Sequence, residues 1–213
     1  FYTIYEGNNL ERSCIQAFQE ASPQKVIGYT HCVIFPYHLK LHISKEELKR
    51  RPEPEVFFCT GPTTKEFFQK FGPRRSEKIL PGCYLKQRPR LEEHKDKIKN
   101  RQILVILDGN FDTIPFAEWI CENKDIFIGY KIVFRSHPNV PLDTLMDQLL
   151  IAWPDEFELS NQPLETDFEN SHCVIYRQSS VGMQALLNGI PSIYLGIESP
   201  VSYDPIEHIK TMK

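Results

Sequence analysis

The chain has 213 residues, with 25 Lys and Arg against 28 Asp and Glu, a net charge of −3, and 41% hydrophobic and 25% charged residues, the balance of an ordinary globular protein. Its 16 Pro and 10 Gly follow no period, which excludes collagen-like and low-complexity chains, and interspersed charge of both signs leaves no footprint for nucleic acid. The longest apolar run, 103–107, is far short of the roughly 20 residues that cross a bilayer, so no transmembrane helix is expected.

Apolar runs of strand length alternate with longer amphipathic stretches, the pattern of parallel strands joined by crossover helices, and the chain reads as α/β. Residues 1–5 form a strand entered in mid-domain, with no charged leader before an apolar core, as in a piece of a longer protein. A helix at 10–21 and strands at 25–29 and 56–59 follow, then a helix at 63–71 stopped by Gly72-Pro73 and a short strand at 79–80.

From 86 to 101 the chain becomes charge-dense and loses apolar periodicity, which marks a domain boundary. The expected division is a partial first domain at 1–90, incomplete at its N-terminus, a linker at 91–101 and a second domain at 102–213. In the second domain a strand at 102–107, a helix at 115–123 opened by Pro115, a strand at 130–134, a helix at 142–151 and a strand near 156–159 are predicted. A strand at 173–176, a helix at 181–188 closed by Gly189 and a strand at 192–195 complete it.

The six cysteines stand singly, with no Cys-x-x-Cys pair, which favours buried thiols in a reducing compartment over zinc ligands or disulfides. His38 and His42 are four apart but lack further ligands at metal-site spacing. Asp108-Gly-Asn-Phe-Asp112 has no Asp-x-Asp spacing for a metal ion and reads as a turn.

Two segments have the character of sites. Arg135-Ser136-His137-Pro138 follows a predicted strand, and open α/β sheets bind ligands outside the carboxyl ends of their strands. Gln178-Ser179-Ser180 opens a predicted helix, where hydroxyls, free N–H groups and the helix dipole suit an anion. Each segment also has a plain structural reading, because His is common in surface turns and Ser is a common N-cap.

The run from Asp167 through Tyr176, Ser179-Ser180-Val181-Gly182 and Asn188-Gly189-Ile190-Pro191, with His137-Pro138 upstream, resembles the nucleotide-binding half of GT-B glycosyltransferases. The pair of motifs is similar to those of bacterial surface-polysaccharide transferases: Kdo transferases of capsule synthesis, polysialyltransferases and, more distantly, CDP-glycerol glycerophosphotransferases. The resemblance covers the chain from Gln102 onward. It implies two Rossmann-like domains, a nucleotide-linked donor that is CMP- or CDP-linked, and a polysaccharide or lipopolysaccharide acceptor. His137, with Pro138 fixing its loop, and Ser179 and Ser180 would hold the donor phosphate, and Arg135, Tyr176 and Arg177 would add charge or stacking near the nucleotide. Many relatives carry Glu four residues after the second Ser, where it binds ribose; here that residue is Gln184.

Tyr5-Glu6-Gly7 and Gly28-Tyr29-Thr30-His31 resemble the acidic-residue-plus-Gly motif and the Gly-x-x-His turn of the same enzymes. They nominate Glu6 as the base that takes the acceptor proton, Glu11 as its substitute, and His31 as a contact to acceptor or phosphate. Glu6 also reads as a loop carboxylate and Glu11 as a first-turn helix residue. The expectation is metal-independent transfer without a cofactor, in the cytoplasm or at the inner face of the membrane, by a chain whose open sheet edge favours self-association. A silent carbohydrate- or partner-binding scaffold and a nucleotide-sugar epimerase of the same fold remain open beside it.

Overall fold

A computed structural model describes residues 1–35, 37–74, 76–82, 101–110, 112–197 and 200–207. The chain divides into two compact units, Phe1–Gln87 and Arg88–Lys213, each built on its own sheet. The expected linker lies outside the described residues apart from Arg101, as does Cys83.

In the first unit β1 (Tyr2–Ile4), β2 (Ile27–Thr30), β3 (Val56–Cys59) and β4 (Ile79–Pro81) stand in that order, every neighbouring pair parallel. The connections carry α1 (Asn9–Ala21), α2 (Lys45–Arg50) and α3 (Pro62–Lys70). Ile15 of α1 and Phe67 and Phe68 of α3 pack with Phe57, Cys59 and Ile79 of the sheet. Cys14 is exposed, a correction to the expected buried thiol: its neighbour Ile15 takes the core-facing position. Helix α2 was not predicted because it has no apolar stripe. Its signal is a capping box: Ser44 Oγ accepts the Glu47 N–H at 3.1 Å, and the Ser44 N–H donates to the Glu47 carboxylate at 2.8 Å.

A buried polar group ties this core together. Arg74 donates to Glu53 through Nε at 2.8 Å and through a terminal nitrogen at 2.7 Å, and to the Leu41 carbonyl at 3.0 Å. The Tyr5 hydroxyl donates to Glu53 at 2.6 Å, and the guanidinium lies over the Phe57 and Phe68 rings. Two charges taken out of water in this way hold only because each is met by several donors or acceptors.

The second unit is a five-stranded parallel sheet in the order β7-β6-β5-β8-β9, with β5 (Gln102–Ile106), β6 (Lys131–Arg135), β7 (Glu158–Leu159), β8 (Ser171–Tyr176) and β9 (Ser192–Tyr194). Ile103 and Val105 of β5 pack with Phe116, Ala117 and Ile120 of α4 (Thr113–Glu122) on one face. Leu104 and Ile106 pack on the other face with Phe168 of α6 (Leu164–Asn170) and Ala185 of α7 (Ser180–Leu187). Burial on both faces explains the unbroken apolar run of β5.

One expectation fails here, and one helix was missed. The helix predicted at 142–151 ends as α5 (Leu142–Met146). The Leu150 N–H turns to the Glu118 carboxylate at 2.7 Å, and Leu150 is 91% exposed, so no apolar stripe carries the helix on. Helix α6 was not predicted; its seven residues after Pro163 are too few to show a period. Among the described residues no helix is long and apolar enough to cross a membrane.

Candidate functional site

The strand order places a switch point between β5 and β8: connections from β5 run toward β6 and β7, whereas β8 leads to β9 on the other side. In doubly wound sheets that crevice, at the carboxyl ends of the strands, is where ligands bind. Three segments converge on it. Asp108-Gly109 leaves β5, His137-Pro138 leaves β6, and Gln178-Ser179 leads from β8 into α7.

The contacts between them are direct. The Gln178 N–H donates to Asp108 Oδ1 at 3.1 Å, spanning the switch point. A Cβ on Gly109 would stand 2.8 Å from His137 Nδ1, so only glycine lets the ring come this close. His137 Nδ1 accepts the Asn139 N–H at 3.1 Å, which puts the ring proton on Nε2 and makes that nitrogen a donor. Pro138 is exposed beside it.

Ser179 is the N-cap of α7, its Oγ accepting the Val181 N–H at 3.2 Å. Ser180 is the first residue of the helix, and Gln184 stands one turn on, over the same side. The helix start is set against the sheet by Gly182, where a Cβ would lie 2.4 Å from the Tyr176 ring. Tyr176 itself is fully buried, and its hydroxyl donates to Asp204 at 2.9 Å, so it supports α7 and does not stack on a nucleotide as expected.

Asp108 stands at the start of the expected turn, which the Thr113 N–H closes onto the Asn110 carbonyl, and the residue is buried, 4% exposed. Its N–H donates to Thr113 Oγ1 at 3.1 Å. Burial pushes its carboxyl up to about 6; the Gln178 N–H and the Arg177 charge pull it down, and Asp112 pushes it further up. Its strand-end position followed by glycine was the available signal. Arg135, expected near the nucleotide, is engaged elsewhere: it donates to the Asp167 carboxylate and the Gln162 carbonyl, both at 2.6 Å, and Ser160 completes the cluster. Val133, two residues before it on β6, packs with Phe168 of α6, and Arg135 shares that face.

In the first unit Glu6 and His31 follow the adjacent parallel strands β1 and β2, with Glu6 Oε1 3.2 Å from His31 Nδ1. Gly7 turns the chain here with φ of 79°, and its α-carbon faces the Lys40 carbonyl too closely for any side chain. Cys32 beside the pair is pushed up to about 12 by burial and then by the Glu6 charge, so it stays a thiol. Glu11 is not placed as a second base. One of its oxygens accepts the N–H groups of Glu6 at 2.8 Å and Asn8 at 3.0 Å, and the other accepts the Asn8 amide at 3.0 Å, so it caps α1. Among the described residues no group of three or more His, Cys, Asp or Glu is placed to hold a metal ion.

No protein-family model matches the chain, and no curated protein matches it in sequence. Solved structures match it in shape. The S. aureus MnaA–UDP structure aligns at a TM-score of 0.52 and 14% identity, covering 96% of this chain and 58% of that one. The calicheamicin glycosyltransferase CalG4 aligns at 0.50 and 12% identity with the same coverage. The Thermosulfurimonas dismutans KpsC, a beta Kdo 2,4 transferase, covers 49% of this chain and 36% of its own at 0.35, too low to bear on the fold. The chain thus spans little more than half, or less, of the structures it matches. What the first two matches show is the fold: two Rossmann-like units with parallel sheets, the GT-B fold.

Proposed function

We propose that the protein is a glycosyltransferase that moves a sugar from a nucleotide-linked donor, CMP- or CDP-linked, to a surface polysaccharide or lipopolysaccharide acceptor. The observation that carries this reading is the convergence of the His137 loop, the Asp108-Gly109 turn and the start of α7 at the switch point of the second sheet. The UDP held by one structural neighbour supports a nucleotide on this fold.

In this reading the donor phosphate meets the His137 Nε2–H, the Ser179 and Ser180 hydroxyls and the free N–H groups of α7. The bond from the anomeric carbon to the phosphate oxygen breaks, and the charge that collects on the departing nucleotide is met by fixed donors and the helix dipole, with no metal ion or cofactor. The acceptor hydroxyl oxygen bonds to that carbon, and its proton passes to Glu6, which His31 orients. The Gln184 amide, able to donate and accept, serves the ribose hydroxyls. Arg135 is left out of the donor site because Asp167 holds it. We place the chain in the cytoplasm, associating peripherally with the membrane that carries the acceptor.

Calorimetric titration with CMP, CDP and UDP tests the reading. Binding of a cytidine nucleotide that His137→Ala weakens supports it. Absence of binding by all three favours a silent scaffold and removes the donor site.

A further inference from the structure

Asp108 carries an oxygen that the fold leaves unanswered. Its Oδ1 is bonded to the Gln178 N–H, whereas Oδ2 is buried and has no hydrogen-bond partner among the described residues. The charged and titratable groups around it come from three elements. Arg177, at the end of β8, donates to the Asp112 carbonyl and not to Asp108, and its Nε is likewise buried and unpartnered among the described residues. Asp112, ahead of α4, is exposed. His137, after β6, lies against Gly109, the residue next to Asp108.

We propose that Asp108 is a further binding residue of the phosphate site and acts in its neutral form: when phosphate seats at the start of α7, one proton from solvent settles on Oδ2, and the new O–H donates to a phosphate oxygen. This rests on the phosphate site proposed above. Like charges that share a buried site do not both stay ionised, and burial already pushes the Asp108 carboxyl up to about 6, so that little further is needed to neutralise it. The protonated acid keeps Oδ1 as acceptor for Gln178 and turns the orphaned oxygen into a donor. Phosphate is then met by the Asp108 O–H from β5, the His137 N–H from β6 and the N–H groups of α7.

The test is calorimetry of the intact chain with CMP, CDP and UDP at pH 6.5 and 8, and at pH 7.5 in two buffers of different ionisation heat. Asp108→Asn serves as reference, since its amide keeps the acceptor and presents a permanent donor where the proton would sit. Native affinity is expected to fall roughly tenfold more than that of the variant from pH 6.5 to 8, with uptake at pH 7.5 of up to about one proton more. The variant should bind at pH 8 at least as tightly as the native chain. Equal pH profiles, or a variant weakened at both pH values, overturn the inference and leave the donor site standing. No binding by the native chain at either pH overturns the donor site, and the inference with it. Carbon-13 NMR of aspartate carboxyls gives the answer without a variant: one midpoint rises by more than about one pH unit on saturation, and if none moves the inference falls.

Discussion

The His137 ring packs against the bare α-carbon of Gly109, and a methyl group there would sit 2.8 Å from Nδ1 and 3.1 Å from Cγ. Gly109→Ala should therefore push the ring out of place. In nucleotide affinity it should resemble His137→Ala, which removes one hydrogen bond to a charged phosphate at about 1.5–3 kcal/mol, or roughly ten- to 150-fold. The double variant should be no weaker than His137→Ala alone, because both changes act on one contact. Titration of the three variants checks this, and additive losses would count against it.

Glu6 and Glu11 are separated by what they touch. Glu6→Gln should keep nucleotide affinity and lower turnover roughly 10²-fold or more, since only proton removal is lost. Glu11→Ala should instead lower thermal stability by about 1 kcal/mol, as loss of a helix cap does. A transferase assay and a melting curve on both variants distinguish the roles.

Asp108 reverses the usual pH effect of a carboxylate. Its pKa in the folded chain, about 6, lies above that of an unfolded aspartate, so the native state binds the extra proton between about pH 4 and 6 and stability falls as pH rises through that window. The accumulated penalty above pH 6 is about 2–3 kcal/mol. Urea unfolding of Asp108→Asn and of the native chain should show a difference that shifts in the variant's favour by that amount from pH 4 to 7.5. A constant difference would mean that Asp108 ionises freely.

Arg74→Ala should be the most damaging of these changes to the first unit. It leaves Glu53 at 8% exposure without its bidentate partner, beside the Tyr5 hydroxyl and Arg51 at 3.8 Å, and breaking a buried pair from one side costs about 3–5 kcal/mol. Replacing both residues with apolar ones of similar volume should recover most of that loss in denaturant unfolding.

What the sequence revealed was burial pattern, and what it hid was partnership across distance. The apolar run of β5, the Ser179 cap and the helix ending at Gly189 carry their own local signals, and the His137 and Ser179 segments lie at strand ends where they were expected. The seven residues of α6 and the stripe-free α2 lack enough periodicity to stand out. Arg135 was misplaced because Asp167, 32 residues away, claims its guanidinium. Asp108 was read only as a turn residue, because its strand-end place before a glycine does not by itself mark a carboxylate as buried. Its bond to Gln178 exists only once β5 and β8 are paired.

The order β7-β6-β5-β8-β9 also sets when the proposed donor site can come into being. No strand in either sheet meets its neighbour through a hairpin, and Asp108 and Gln178 are 70 residues apart. Chains dominated by such distant contacts fold slowly, in about milliseconds to seconds for small domains, because loop closure precedes its reward. A nucleotide present during refolding has nothing to hold until β8 docks on β5, so it should leave the refolding rate unchanged and act on the unfolding rate alone.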